Sequence, residues 1–389
     1  MRLRSLKRLK YLLIFLLGVM IGCTLQNQYR PTLSNTRVPD QCKQQNAISI
    51  GYSDLKFPGI TPYTHVWVAA LAFSTNNETL WIVYGGEPAK SGEQLIQLQT
   101  ADLQAVHSLV IGPSSASWAR FNRDATRLLT VGRVICPSQP WLRSSTCWSI
   151  KVWDTASGEV TSTPSKAAYF DLRDVAFSED GNWFLAAEDL VMSIQTPIEP
   201  TPRASLVVPS TNREGSLTRL ITVTISDTGN LVAYGTEEGL VQLVGWDGHS
   251  LVDPYLPFDL GLFRIGGGKG GGIVSENLLR LAIASDNKSL AVQSEKTLEI
   301  RDISSTAFTK VGEVNLTPSS SGVLVFSPSG SLLAVGHSQG LSVLRFPDLK
   351  KVLDLSGPAA TAIAFSPDGC LLAWGDTEGT VRIINLPSP

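Results

Sequence analysis

"AFSPDGCLLAWGDTEGTVRIINL" occupies residues 364–386. Its first two residues close an apolar stretch, and "SPDG" (366–369) has the Asp-Gly chemistry of a tight reversal. "LLAWG" (371–375) is apolar throughout, as a strand covered on both faces must be. "TVRIINL" (380–386) alternates, which predicts a strand covered on one face. The unit is therefore strand, tight turn, buried strand, alternating strand. Cys370 is its oddity, because equivalent turns end in Asn182, Asn230, Lys288 or Ser331.

Six other stretches follow the same plan: "LAFSTNNETLWIVYG" from Leu71, "ARFNRDATRLLTVG" from Ala119, "VAFSEDGNWFLAAE" from Val175, "VTISDTGNLVAYG" from Val223, "LAIASDNKSLAVQ" from Leu281 and "LVFSPSGSLLAVG" from Leu324. Their anchors and that of the opening stretch are Phe73, Phe121, Phe177, Ile225, Ile283, Phe326 and Phe365, spaced by 48, 56, 48, 58, 43 and 39 residues. The shortest gaps fit the ~40 to 45 residues of a four-stranded propeller blade, and the longer ones leave room for insertions. "KKVLDL" (350–355) reads as a weaker fourth strand. One such sheet leaves both faces uncovered, whereas seven stacked radially cover one another and expose only short edges. The expected fold is all-β, a seven-bladed β-propeller of four-stranded antiparallel blades over residues 46–389.

These repeats resemble those of the WD-repeat β-propeller family, most specifically in the "FSPSG" (326–330) and "FSPDG" (365–369) turns. Trp153-Asp154 stands where the family's signature dipeptide ends the third strand. Arg301-Asp302 and Ile384-Asn385 replace it in repeats five and seven, and Trp246-Asp247 falls two residues late. The family's Gly-His is missing, so its buried Asp-His-Ser-Trp network is not expected, and the blades should rely on apolar packing. In this family the N-terminus often supplies the last outer strand. Repeat seven ends at Leu386 without one of its own, and "NAISIGYS" (46–53) has the alternation to fill the place; a tail strand lying elsewhere is the alternative.

Of the 389 residues, 43% are apolar and 17% charged, with a formal net charge of −2. That excludes a disordered chain and a nucleic-acid-binding polycation. The N-terminus reads as an address. Arg2, Arg4, Lys7, Arg8 and Lys10 precede the apolar run "YLLIFLLGVMIG" (11–22), which makes residues 1–22 a secretory signal peptide with an apolar core shorter than the roughly 20 residues of a bilayer span. "VMIGC" (19–23) resembles the bacterial lipoprotein signal, which implies cleavage after Gly22 and lipidation of Cys23, although Met20 stands where Leu is usual. An uncleaved signal anchor is the alternative, and the positive-inside rule puts the remainder outside the cytoplasm in either case. Residues 23–45, polar and with two prolines, read as a flexible tether. The expected location is the bacterial cell envelope, extracytoplasmic and membrane-anchored.

An exported chain should have its cysteines paired or modified, and lipidation of Cys23 leaves four. Cys136 and Cys147 flank an insertion between the second and third strands of blade two, where a disulfide would contribute roughly 2 to 3 kcal/mol by chain entropy. Cys42 precedes the strand assigned to blade seven and Cys370 follows that blade's first turn, so a second disulfide would latch the ring, with a contribution of about 5 kcal/mol for so long a loop. The alternatives are free thiols at Cys136 and Cys147 and, at Cys370, a buried thiol packed as a small hydrophobe.

"RIGGGKGGGIV" (264–274) is not a phosphate loop, because Gly270 rather than Ser or Thr follows Lys269 and no strand-to-helix context surrounds it. The four histidines, His65, His107, His249 and His337, are scattered, so neither a metal cluster nor a nucleophile-base pair shows in the local spacing. No catalytic residue, metal or cofactor is expected. The long insertions, Gly132–Cys147, Gln195–Ser216 and His249–Glu276, are assigned to second-to-third-strand and inter-blade connections, which emerge on one face of a propeller. With Arg133, Trp141 and Arg143 on the first, that face is the candidate protein-binding surface; loop drift without a partner is the alternative. The expected function is a non-enzymatic protein-protein interaction scaffold. An extracytoplasmic propeller enzyme, such as a lactonase or quinone-dependent dehydrogenase with a site in the central channel, is the alternative.

Overall fold

Each inner strand ends in a turn built from its own side chains. In the computed structural model, Ser74, Asn122, Ser178, Ser226, Ser327 and Ser366 each accept, through a side-chain oxygen, the backbone N–H five residues on, at 2.8–3.1 Å. Blade five has Ala284 in this place; there the Ala284 N–H donates to the Ser289 carbonyl at 2.9 Å, and Asp286 Oδ1 accepts the Lys288 N–H at 2.8 Å. Gly181, Gly229, Gly330 and Gly369 take the left-handed conformation at the tip, and Asn77, Ala125 and Asn287 take it in the other three blades. In the last turn Asp368 Oδ1 accepts both the Ser366 hydroxyl at 2.6 Å and the Cys370 N–H at 2.9 Å. The turn thus uses only the backbone of residue 370, which leaves its side chain free to vary.

The structure describes residues 47–386 except 56–64, 88–92, 112–115, 136–145, 163–171, 198, 200–201, 208–218, 238–240, 253–279, 295, 306–307 and 317–321. They form seven four-stranded antiparallel sheets. The inner strands are His65–Phe73, Ala116–Phe121, Leu172–Phe177, Leu220–Ile225, Arg280–Ile283, Leu324–Phe326 and Ala360–Phe365, and each touches the next until the last returns to the first. The fold is a seven-bladed β-propeller. All seven anchors sit in inner strands, and second strands such as Leu231–Thr236 and Leu371–Asp376 are buried from end to end.

The ring is closed by the N-terminal strand. Ile48–Gly51 lies antiparallel to the third strand of blade seven, with Ile48 opposite Ile383 and Gly51 opposite Thr380. Beyond it the Tyr52 N–H donates to the Gly379 carbonyl at 3.2 Å, and the Tyr52 ring packs on Tyr84 of blade one with centroids 4.9 Å apart. The core is divided accordingly: seven clusters of buried apolar side chains each join two neighbouring blades. At about 1.5 to 3 kcal/mol for each large apolar side chain buried, this packing is the main stabilising term.

Register settles which residues share a place. Leu128 pairs with Trp153, Leu290 with Arg301, Leu372 with Ile384 and Val232 with Val244, so Trp246 lies two residues beyond the Trp153 position. The Trp153 indole N–H donates to Thr130 Oγ1 at 2.8 Å, a polar link between two strands of blade two. The insertions need correction. In blade two, pairing continues to Ile135 and Thr146, so Gly132, Arg133 and Cys147 belong to strands and the connection is 136–145. Residues Gln195–Ser216 do not form one connection, because Ala204–Val207 is the outer strand of blade three. The segment before it joins third strand to outer strand, on the face opposite to that expected. His249 likewise precedes the short outer strand Leu251–Val252, and only the stretch after it leads to a new blade.

Candidate functional site

An inner strand of a closed ring has one neighbour and one free edge, and the free edges line the central channel. Five inner strands carry a register irregularity four residues before the anchor, at Ala69, Ser117, Arg173, Ile221 and Thr361. Such bulges re-aim the side chains beside them. The channel here holds a cavity of about 490 Å³, within the range of ligand sites. Its polar and aromatic lining includes Trp67, Trp118, Arg120, Asp174, Thr222 and Arg280. Trp67, Trp118, Asp174, Thr222 and Arg280 lie toward the starts of the inner strands, at the mouth where second-to-third-strand and inter-blade connections attach, whereas Arg120 stands one residue before the end of its strand. The long connections 136–145, 163–171, 208–218 and 253–279 join strand ends on this face.

Asp174 is held in place: Thr222 Oγ1 and the Val223 N–H both donate to its Oδ2 at 3.0 Å, and the Val175 N–H donates to Oδ1 at 2.9 Å. Arg120 projects into channel water yet is enclosed by protein, and that enclosure lowers its pKa; Asp174 opposes the shift and Arg280 adds to it. The guanidinium donates to the Ala119 carbonyl at 2.9 Å. Arg280 Nε donates to the Gly322 carbonyl at 3.0 Å.

Toward the other mouth the channel holds a second chamber of about 300 Å³, where Arg123, Glu179 and Asp227 are its charged residues. Arg123 Nε lies 3.0 Å from Glu179 Oε2. Burial, reinforced by the neighbouring Asp227 carboxyl, lifts Glu179 to about 7, and burial raises Asp227 as well. The pair holds a proton at neutral pH that isolated carboxyls would release.

Of the residues singled out in the sequence, Arg133 lies opposite Trp148 and Cys147 opposite Val134 in the extended blade-two hairpin; their side chains are outside the described residues, as are Cys23, Cys42, Cys136, Trp141 and Arg143. Trp148 packs on the channel residue Trp118, with centroids 5.0 Å apart, so this hairpin stands at the mouth of the larger chamber. Cys370 is buried and is not a free thiol; what its sulfur meets lies outside the described residues. Arg120, Asp174, Arg280, Glu179 and Asp227 were missed. The signal available was a charge inside, or just past the end of, an inner strand that is otherwise apolar.

One serine, histidine and aspartate do meet, in blade six. The Gln339 N–H donates to His337 Nδ1 at 3.3 Å, which leaves the ring proton on Nε2, 3.3 Å from Ser342 Oγ. Ser342 in turn donates to Asp354 Oδ1 at 2.7 Å. The hydroxyl proton is directed at the carboxylate instead of the imidazole, the reverse of what activates a serine nucleophile. Burial lowers the His337 pKa, and the network ties the second, third and outer strands of the blade together. Among the described residues no group of three His, Cys, Asp or Glu is placed to hold a metal ion.

The class these features define is a seven-bladed β-propeller with a charged central channel and a loop-bearing face. No protein-family model matches the chain, and a search of curated proteins finds no significant match.

Proposed function

We propose that the chain is an extracytoplasmic, membrane-anchored propeller that acts as a non-enzymatic scaffold and binds another protein through its loop-bearing face. The observation that carries this is a coincidence of place: the long connections, the Trp118–Trp148 pair and the wider part of the channel belong to one mouth. Aromatic and arginine side chains on a rigid frame are the usual anchors of a protein interface. The rest follows the sequence: residues 1–22 are removed, Cys23 carries lipid in the bacterial envelope, and 23–45 tether a WD-repeat-like propeller. Cys42 pairs with Cys370, and Cys136 with Cys147. Crosslinking in cells followed by affinity purification tests the face. Trp141→Ala with Arg143→Ala should lose partner capture without change in thermal stability, and unchanged capture removes the assignment.

One observation favours a second reading, an enzyme with a site in the channel. Glu179 titrates near neutrality at about 7, where a carboxyl is suited to general acid and base work. Turnover of a lactone or sugar substrate by purified protein, abolished by Glu179→Gln, would favour it over the scaffold.

A further inference from the structure

The two chambers of the channel differ in their charged lining. Among the described residues two arginines, Arg120 and Arg280, and one carboxylate, Asp174, line the larger. Arg123 faces two acidic residues, Glu179 and Asp227, in the smaller. Asp174 forms no ion pair with Arg120 among the described contacts, and its oxygens accept from Thr222, Val223 and Val175. Among the described residues Arg120 makes one side-chain hydrogen bond, to the Ala119 carbonyl, and no ion pair. Its side chain is exposed inside the channel, where it lines the cavity, so its remaining donors are open to a ligand.

We propose that Arg120 binds a single carboxylate presented by an acidic peptide segment, which enters the channel from the loop-bearing face. This deepens the scaffold reading and rests on it. A planar guanidinium matches a carboxylate through two parallel hydrogen bonds. Trp67 and Trp118 on the same wall give flat apolar surface to the residues flanking the acid. The cavity has room for a few side chains, not for a folded domain.

The test uses the full-length chain in detergent micelles and three probes: the acetylated, amidated peptide Ala-Ala-Glu-Ala-Ala, its counterpart with Gln for Glu, and propionate. Tryptophan fluorescence and calorimetry report binding. The Glu peptide should bind at least about tenfold more tightly than the Gln peptide. That preference should vanish in Arg120→Gln and persist in part in Arg120→Lys. Equal binding of the two peptides, or a preference that survives Arg120→Gln, overturns the assignment. Propionate binding that depends on Arg120 while the Glu peptide fails to bind makes the ligand a small free acid and overturns the peptide source. Thermal melts of both variants separate lost binding from lost fold. Failure of the scaffold reading shows elsewhere, in capture that ignores Trp141 and Arg143.

Discussion

Gly375 of blade seven lies so close to Val68 of blade one that a Cβ on Gly375 would meet the Val68 Cβ at 2.3 Å. The same seam carries the Thr361 hydroxyl, which donates to the Val68 carbonyl at 2.7 Å. Here the last blade meets the first, and there is no space for a methyl group. Gly375→Ala should therefore destabilise by about 1 to 3 kcal/mol through overpacking, seen as a lower thermal midpoint. Gly357→Ala, with nothing within 4 Å of the added carbon, should leave the midpoint unchanged. Equal effects of the two would mean the seam is not tightly packed.

Asp376 is fully buried and forms an ion pair with Arg382, which also lies over the Trp374 ring at 5.5 Å. The carboxylate further accepts the Glu378 and Thr380 N–H groups at 2.9 and 3.0 Å. Arg382→Ala would leave that charge buried without its cation, a loss of about 3 to 5 kcal/mol. Chemical denaturation of the two proteins measures it. A loss below about 1 kcal/mol, typical of exposed pairs, would show that water reaches Asp376 in solution.

The Glu179 and Asp227 pair makes stability depend on pH in a direction opposite to most carboxylates. Glu179 has its pKa raised from 4.5 to about 7, so between these values the folded chain holds a proton that the unfolded chain has released. Its contribution is complete below about pH 4.5 and is lost as pH rises through 7. Glu179→Gln should be close to neutral at pH 5 and increasingly stabilising relative to wild type by pH 8, in parallel thermal melts. A difference that does not change with pH would show that the carboxyl titrates normally.

The proposed Cys42–Cys370 bond makes an oxidation-dependent difference. Cys370→Ser should lower the stability of the oxidised protein, by at most about 5 kcal/mol on the chain-entropy model, and leave the reduced protein unchanged within the small effect of replacing a thiol. Intact mass before and after reduction counts the bridges, and four free thiols in the mature chain would remove both.

The blades were legible because the inner turn is written locally. Ser327 or Ser366, an acceptor two residues on and a glycine after it specify a hydrogen-bonded loop that needs no help from the rest of the chain, and the apolar second strand follows at once. The outer strands were harder, because Ala204–Val207 and Leu251–Val252 are short and the first is half-exposed, too little for periodicity to show. That is why two insertions were misjudged and one was placed on the wrong face. The channel was not legible at all. Arg120 sits beside its anchor Phe121, and Asp174 and Arg280 each stand three residues before theirs; only closure of the ring brings them to one cavity, and no spacing along the chain encodes that meeting.

Pairing Ile48–Gly51 with Thr380–Asn385 also orders assembly in time. Six sheets arise from strands that are consecutive in the chain, so their hairpins form over short loops. The seventh must wait until nearly the whole chain is available, because its outer strand is made first and its inner three last. Contacts of such sequence separation are slow to form. Until they do, the third strand of the last blade is an open edge, able to recruit another strand. The vulnerable species for this chain is therefore a nearly complete ring with one unfilled place, and anything that delays the N-terminal strand prolongs its lifetime.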